Sequence, residues 1–135
     1  MKFLKEFEFE GKTLAVDLID TQQVKEGVVC QVYEFTGNSD MDLGIIAVEA
    51  GRKTPLQLVL KGTRTIEGYV SGKGTLNVQR SNGVAETYKF SETSEQNQIE
   101  VFVGDTMQWA AVEDLVFYEI CFPPYKDGRF KNIDE

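Results

Sequence analysis

The sequence contains no histidine, and this absence excludes more functions than any motif suggests. Without an imidazole, the chain has no Ser-His-Asp or Cys-His catalytic site, and it has no histidine to shuttle protons near neutral pH. Zinc, copper and non-haem iron sites that are built on imidazole are excluded for the same reason.

Cysteine and long apolar runs are also scarce. The two cysteines, Cys30 and Cys121, are far apart and lie in apolar, strand-like runs, which predicts buried free thiols rather than a disulfide. No apolar stretch approaches the ~18 residues that a membrane-spanning helix needs. Charges interrupt every apolar run in residues 1–8, unlike a signal peptide. These features predict a cytoplasmic protein.

Positive charge is in deficit. The chain has 14 Lys and Arg against 22 Asp and Glu, a formal net charge of −8. Such a surface repels phosphate backbones and anionic lipid, so we expect neither a nucleic-acid nor a membrane partner. The charge itself is explained by solubility. At 135 residues, the chain has room for one domain with its own core, residues 1–135.

Short runs rich in Val, Ile, Phe, Tyr and Thr recur along the chain, each closed by a turn signal. Asn82-Gly83 between two such runs predicts a hairpin. No segment has a convincing helical period, although residues 20–26 have the length of one helical turn. The pattern predicts an all-β fold of about ten antiparallel strands, a sandwich or barrel. The predicted strands are residues 2–10, 13–19, 28–35, 43–50, 56–60, 64–70, 75–79, 85–90, 99–103, 106–112 and 115–122.

Two segments resemble the motifs of the cupin superfamily. Residues 51–77 carry Gly51, Pro55 and the run Tyr-Val-Ser-Gly-Lys-Gly at positions 69–74, and residues 101–125 resemble the second motif and its following strand. The similarity covers residues 40–125. It implies a double-stranded β-helix, the jelly-roll barrel of that superfamily, and very often a homodimer. It does not indicate a reaction.

The departures from the family pattern concern its metal ligands. The paired histidines of the first motif fall on Gln57 and Val59, its glutamate falls on or near Thr65, and the last histidine falls on Met107 or Gln108. An amide, an apolar side chain and a thioether suit neither hard nor borderline cations. The resemblance therefore implies that the metal site has been replaced, and we expect no metal and no cofactor.

Strand alternation places residues 65, 67 and 69 on one face and Gln57 with Val59 on another shared face. Gln57 and Thr65 either hydrogen-bond a ligand in the barrel or satisfy each other and trapped water. Glu67 is expected to point inward, where desolvation raises the pKa of a carboxyl and suits it to acid–base work. Its alternative role is an ion pair with Arg64 or Lys61.

The aromatic and sulfur side chains have two interpretations each. Trp109 and Tyr69 stack on a sugar or aromatic ligand, or they belong to the core. Met107 contributes to ligand binding, or it fills the position that a metal ion would occupy. Tyr69 is also the candidate partner of Glu67 in acid–base catalysis.

Three function hypotheses follow. The first is a metal-independent barrel that binds a small polar or carbohydrate-like molecule through Gln57, Thr65, Glu67, Met107 and Trp109. The second is a metal-free isomerase, epimerase or lyase that uses Glu67 with a tyrosine hydroxyl. The third is a degenerate barrel that serves as a dimerisation module, with its interior filled by side chains. An open interior with convergent polar groups separates the first two from the third.

The two ends of the chain are expected to make further contacts. Residues 2–19 are predicted to add to a sheet edge of a second copy in a homodimer. Residues 123–130 are predicted to pack over the barrel or a partner subunit, or to act as a lid.

Overall fold

The computed structural model describes residues 3–124 and 130–133, and these residues form β-strands and turns without a helix. No segment in these ranges is therefore a helix long and apolar enough to span a membrane. The strands, in chain order, are β1 (Glu6–Phe9), β2 (Lys12–Lys25), β3 (Val28–Phe35), β4 (Asn38–Val48), β5 (Leu56–Val59), β6 (Arg64–Ser71), β7 (Gly74–Gln79), β8 (Ala85–Phe90), β9 (Gln98–Val101), β10 (Thr106–Ala111), β11 (Leu115–Phe122) and β12 (Phe130–Ile133).

The strands form two antiparallel sheets. The larger has the order β1-β2-β3-β4-β11-β6-β9 and the smaller the order β12-β5-β10-β7-β8. Their facing sides share one apolar core, to which both sheets contribute, as Val28 and Leu115 do from the larger and Leu76 and Trp109 from the smaller. This confirms the all-β, jelly-roll architecture expected from the resemblance.

A second apolar cluster lies on the outer face of the larger sheet. The N-terminal strand covers it: the Phe7 ring meets Tyr118 edge-on at 5.0 Å, and Phe9 lies 6.3 Å from Phe122. Gly68 makes room for the Tyr118 ring, which a Cβ at that position would overlap. Residues 6–19 thus pair and pack within their own chain.

Most strand bounds agree with the sequence pattern, and three strands, β3, β8 and β11, match it residue for residue. One expectation was wrong, and one strand was not foreseen. Residues 20–25 continue β2 instead of forming a helical turn, since they pair with β3. The chain end also adds β12, which pairs with β5 and was not foreseen. The expected contacts of residues 125–129 lie outside the described residues.

Candidate functional site

A cavity of about 70 Å³ lies between the two sheets, and we call it the interior cavity. Because a buried water needs roughly 10–15 Å³ of such volume, the space admits about five water-sized atoms. Exposed Gln22 and Val24 on β2 form part of its wall and mark where it reaches solvent. Its lining residues are Gln22, Val24, Val28, Cys30, Val32, Asp42, Gly44, Ile46, Thr54, Pro55, Gln57, Glu67, Met107, Trp109, Phe117, Glu119 and Cys121.

Glu67 is the most deeply buried charged residue of the cavity wall, with no exposed surface. It projects inward from β6, as the alternation of residues 65, 67 and 69 indicates. The Trp109 indole N–H, on β10 of the opposite sheet, donates a hydrogen bond of 2.8 Å to Glu67 Oε1. This bond joins the two sheets through the interior and orients the Glu67 carboxyl group, because a hydrogen bond is stronger in a buried site of low dielectric constant.

An aromatic stack holds Trp109 in place. The Trp109 ring stacks on Phe117 with 4.3 Å between centroids, and Phe90 also packs against the Trp109 ring, with 5.3 Å between centroids. Tyr69 stacks in turn on Phe90 at 5.9 Å. Trp109 is 2% exposed. Its two interpretations therefore coexist: it is a core residue, and its ring is also part of the cavity wall.

Two further carboxylates line the interior cavity. Glu119 on β11 is the direct cross-strand partner of Glu67, and Asp42 on β4 is that of Cys121. Directly opposed residues point to the same side of a sheet. Asp42 is 7% exposed. The Cys121 Sγ contacts Glu119 Oε1 at 3.6 Å. Within the part of the chain that the structure describes, no lysine or arginine lines this cavity.

The environment of Cys30 makes its thiol a poor nucleophile. Cys30 and Cys121 form no disulfide, in agreement with the sequence. Burial is the main cause, and the negative charges of Glu119 and Asp42 are a further cause, of the rise in the pKa of the Cys30 thiol from 9.0 to about 12. A thiol with so high a pKa stays protonated at neutral pH and is a poor nucleophile.

The predicted site residues divide into two groups. Gln57, Glu67, Met107 and Trp109 all line the interior cavity. Met107 lies directly opposite Gln57 across β10 and β5, and the Gln57 side-chain amide donates to Asn132 Oδ1 at 3.1 Å.

Thr65 and Tyr69 are not among the residues that line the cavity. Thr65 is fully buried on the same strand as Glu67. The Tyr69 hydroxyl donates to the Gly72 carbonyl oxygen at 2.7 Å, so it is engaged at the end of the strand instead. Arg64, one of the two suggested ion-pair partners of Glu67, forms ion pairs with Glu100 at 2.7 Å and with Glu10 at 3.3 Å.

The positions that match the family's metal ligands do not form a donor set. Met107 faces the cavity, whereas Gln108 donates to the Thr54 carbonyl oxygen at 2.9 Å, which resolves the one-residue ambiguity in favour of Met107. Val59 is a core residue, 1% exposed. Among residues 3–124 and 130–133, no group of three or more Cys, Asp or Glu side chains is placed to hold a metal ion. These residues do not fit the metal of the fold family.

The sequence did not single out Asp42, Glu119, Thr54 or the two cysteines as cavity residues. One signal for Glu119 was available: it is the one charged residue in the otherwise apolar run 115–122, and it alternates with Phe117 and Cys121. The other residues required the register between β3, β4 and β11, which no local pattern gives.

A wider groove of about 550 Å³ adjoins the interior cavity and shares Gln22, Val32 and Asp42 with it. We call it the acidic groove, because Asp17, Asp20, Glu34 and Asp42 line it. No basic side chain does so in the described ranges. Its other lining residues are Ile19, Gln22, Val32, Phe35, Thr36, Gly37, Asn38, Ser39, Met41 and Pro124.

Comparison with known proteins supports the fold. No protein-family model matches the chain, and no curated protein does. Solved structures do. CapF, crystallised with the inhibitor 3-isopropenyl-tropolone, matches with a TM-score of 0.66 at 16% identity, over 88% of this chain and 34% of CapF. Oxalate decarboxylase from Bacillus subtilis matches with a TM-score of 0.64 at 22% identity, over 87% of this chain and 29% of that enzyme.

KdgF from Halomonas sp. is similar to this chain over nearly its whole length, with a TM-score of 0.61 at 15% identity, covering 82% of this chain and 93% of KdgF. The chain spans only about a third of CapF and of oxalate decarboxylase. These are cupin-fold proteins, and this chain has the cupin fold. At such low identity the likeness concerns the fold alone.

Proposed function

We propose that this protein binds a small polar molecule in its interior cavity without the help of a resident metal ion. The observation that carries the proposal is the buried Glu67 carboxylate, which Trp109 orients at the wall of that cavity. Binding sites combine mostly apolar walls with a few well-placed polar groups, and this wall has both. The fold adds analogy: salicylate 1,2-dioxygenase from Pseudoaminobacter salicylatoxidans, a structural neighbour, was crystallised with gentisate.

The interior also bears on the other two hypotheses. A dimerisation module would fill its barrel with side chains, but this barrel retains a cavity with convergent polar groups. Acid–base catalysis by Glu67 and a tyrosine needs a hydroxyl nearby. The described tyrosine hydroxyls all donate hydrogen bonds elsewhere: Tyr69 to Gly72, Tyr118 to Gln98, Tyr88 to Glu86 and Tyr33 to Gln31. Since none of these tyrosines lines the cavity, binding is the better-supported function.

Capture from a small-molecule extract tests the binding proposal. The protein is incubated with the extract, freed of unbound compounds by rapid gel filtration, denatured and analysed by mass spectrometry. We expect wild type to retain a compound that Glu67→Gln loses. Glu113→Gln, a change of the same chemistry at an exposed turn outside the cavity, should retain it. Equal retention by all three proteins, or by none, contradicts the proposal.

Elemental analysis tests the metal-independent part. We expect no stoichiometric zinc, iron, manganese, nickel or copper after dialysis, because the positions that match the family's ligands are Gln57, Val59, Thr65 and Met107. About one metal ion per chain, removed only with loss of ligand capture, would refute this part.

A cytoplasmic location also remains a proposal, supported by two cysteines that form no disulfide.

A further inference from the structure

The walls of the interior cavity restrict the chemistry of its ligand further than size does. Most of the wall is apolar or aromatic, including Val28, Ile46, Phe117 and Trp109. Such walls favour a ligand with a short hydrocarbon portion, because burial of apolar surface is the main favourable term in such a site. A volume of about 70 Å³ limits that portion to a few atoms.

The polar part of the same wall has one sign of charge. Asp42, Glu67 and Glu119 lie on three different strands, β4, β6 and β11, and all three line this cavity. The acidic groove next to the cavity adds Asp17, Asp20 and Glu34. In the described ranges, neither the cavity nor the groove has a lysine or arginine among its lining residues. An approaching anion meets only repulsion, whereas a cation is attracted through the groove toward the cavity.

One further observation indicates that the interior cavity favours a positive charge over a negative one. The negative charges of Glu119, Asp42, Asp20 and Glu67 all contribute to the raised pKa of Cys30. These charges therefore disfavour a negatively charged thiolate on the cavity wall.

We infer that the interior cavity selects a small organic cation, an amine with a short alkyl portion, over neutral and anionic molecules of the same size. The inference rests on the proposed function and adds the class of ligand. Its ammonium group lies among the three carboxylates, and its alkyl portion lies against the apolar wall. The acidic groove admits any longer substituent.

Fluorescence of Trp109 provides the test, because it is the one tryptophan of the chain and lies in the cavity wall. Three probes of about five non-hydrogen atoms each, matched to the cavity volume, are titrated separately: butylammonium, 1-butanol and propionate. We expect butylammonium to change the emission saturably, and the other two to leave it unchanged at the same concentrations.

Two charge variants and one control locate the effect. Glu119→Gln and Asp42→Asn each remove one cavity charge with little change of shape, and circular dichroism checks that each variant is folded. We expect either folded variant to weaken butylammonium binding by at least about tenfold, the loss of one favourable charge interaction. Glu113→Gln should bind as wild type does.

The contrary outcomes are distinct. If 1-butanol or propionate changes the emission as strongly as butylammonium, the charge selection is overturned while small-molecule binding stands. If butylammonium binds but neither charge variant weakens it, the carboxylates are not its partners and the inference fails. If no probe changes the emission, the inference fails, and the extract capture then decides separately whether the barrel binds another small molecule.

Discussion

Glu67 and Trp109 lie 42 residues apart in the sequence and meet across the barrel interior. The direction of each side chain could be predicted from strand alternation alone. Their hydrogen bond could not, because it depends on how the two sheets stack and slide relative to one another. The same holds for Glu119 and Asp42, whose place beside Glu67 follows from cross-strand register.

The hydrogen bond between Trp109 and Glu67 is expected to contribute measurably to stability. Trp109→Phe keeps an aromatic ring but removes the donor, so the buried carboxylate loses a partner and the free energy of unfolding falls by about 1–3 kcal/mol. Urea denaturation measures the change. In a Glu67→Leu background, the same substitution should cost clearly less. Equal costs in both backgrounds would show that the bond contributes nothing.

The Cys30 thiol is expected to resist thiol reagents. Its pKa is about 12 instead of 9.0, which leaves roughly a thousandfold less thiolate at pH 8. In a Cys121→Ser protein, a disulfide reagent should therefore modify Cys30 slowly in the native state and rapidly in urea. Native modification at the rate of an unfolded chain would contradict this.

The same thiol links stability to alkaline pH. Because the folded pKa lies above the unfolded value, the contribution of Cys30 is fully present below pH 9 and is lost as the pH rises toward about 12. Cys30→Ser removes this part of the alkaline loss, which denaturation at several pH values would show.

Strand prediction succeeded where one face is apolar and the other polar. β11, with its alternating buried residues, is recognisable from sequence. The second half of β2 was not, because residues 20–24 are exposed on both faces and carry no alternation. β12 is four residues long and exists as a strand through its pairing with β5, a long-range contact.

The N-terminal strand is expected to stabilise the barrel by covering the outer face of the larger sheet. Phe7→Ala removes the edge-on contact with Tyr118 and exposes the outer cluster, and we expect a loss of about 2 kcal/mol or more, as for other apolar truncations. Phe3→Ala is the matched control, because Phe3 is 58% exposed and such changes usually stay within about 0.5 kcal/mol. Equal losses in chemical denaturation would mean that β1 contributes no packing energy.

At the scale of the whole molecule, the homodimer remains a prediction. The structure changes its basis: residues 6–9 pair within the chain, and β1 covers only residues 12–15 of β2. The rest of β2 pairs with β3 on one side, and among the described strands its other side is an open edge of the sheet. Such an open edge can pair with a strand of a second copy. Light scattering should show a dimer at high micromolar concentration. A monomer under those conditions contradicts the expectation.

The arrangement of the whole barrel explains why the fold could be predicted from the sequence, whereas the composition of the cavity wall could not. The cupin-like motif at residues 69–74 forms the turn between β6 and β7, and such turns report the topology. The cavity is lined by residues from seven strands and from the segment before β5, which are far apart in the sequence. The family's ligand positions directed attention to Gln57 and Met107, whereas the acidic residues of the wall, Asp42, Glu67 and Glu119, do not occupy those positions.

A crystal structure of the protein with the compound captured from the extract tests the central claim most directly. The account predicts electron density for that compound in the interior cavity, with a polar atom within hydrogen-bonding distance of the Glu67 carboxylate and the Trp109 indole N–H still donating to it. Density for the compound on the outer surface, or an interior filled by Val59, Met107 and their neighbours, would contradict the account.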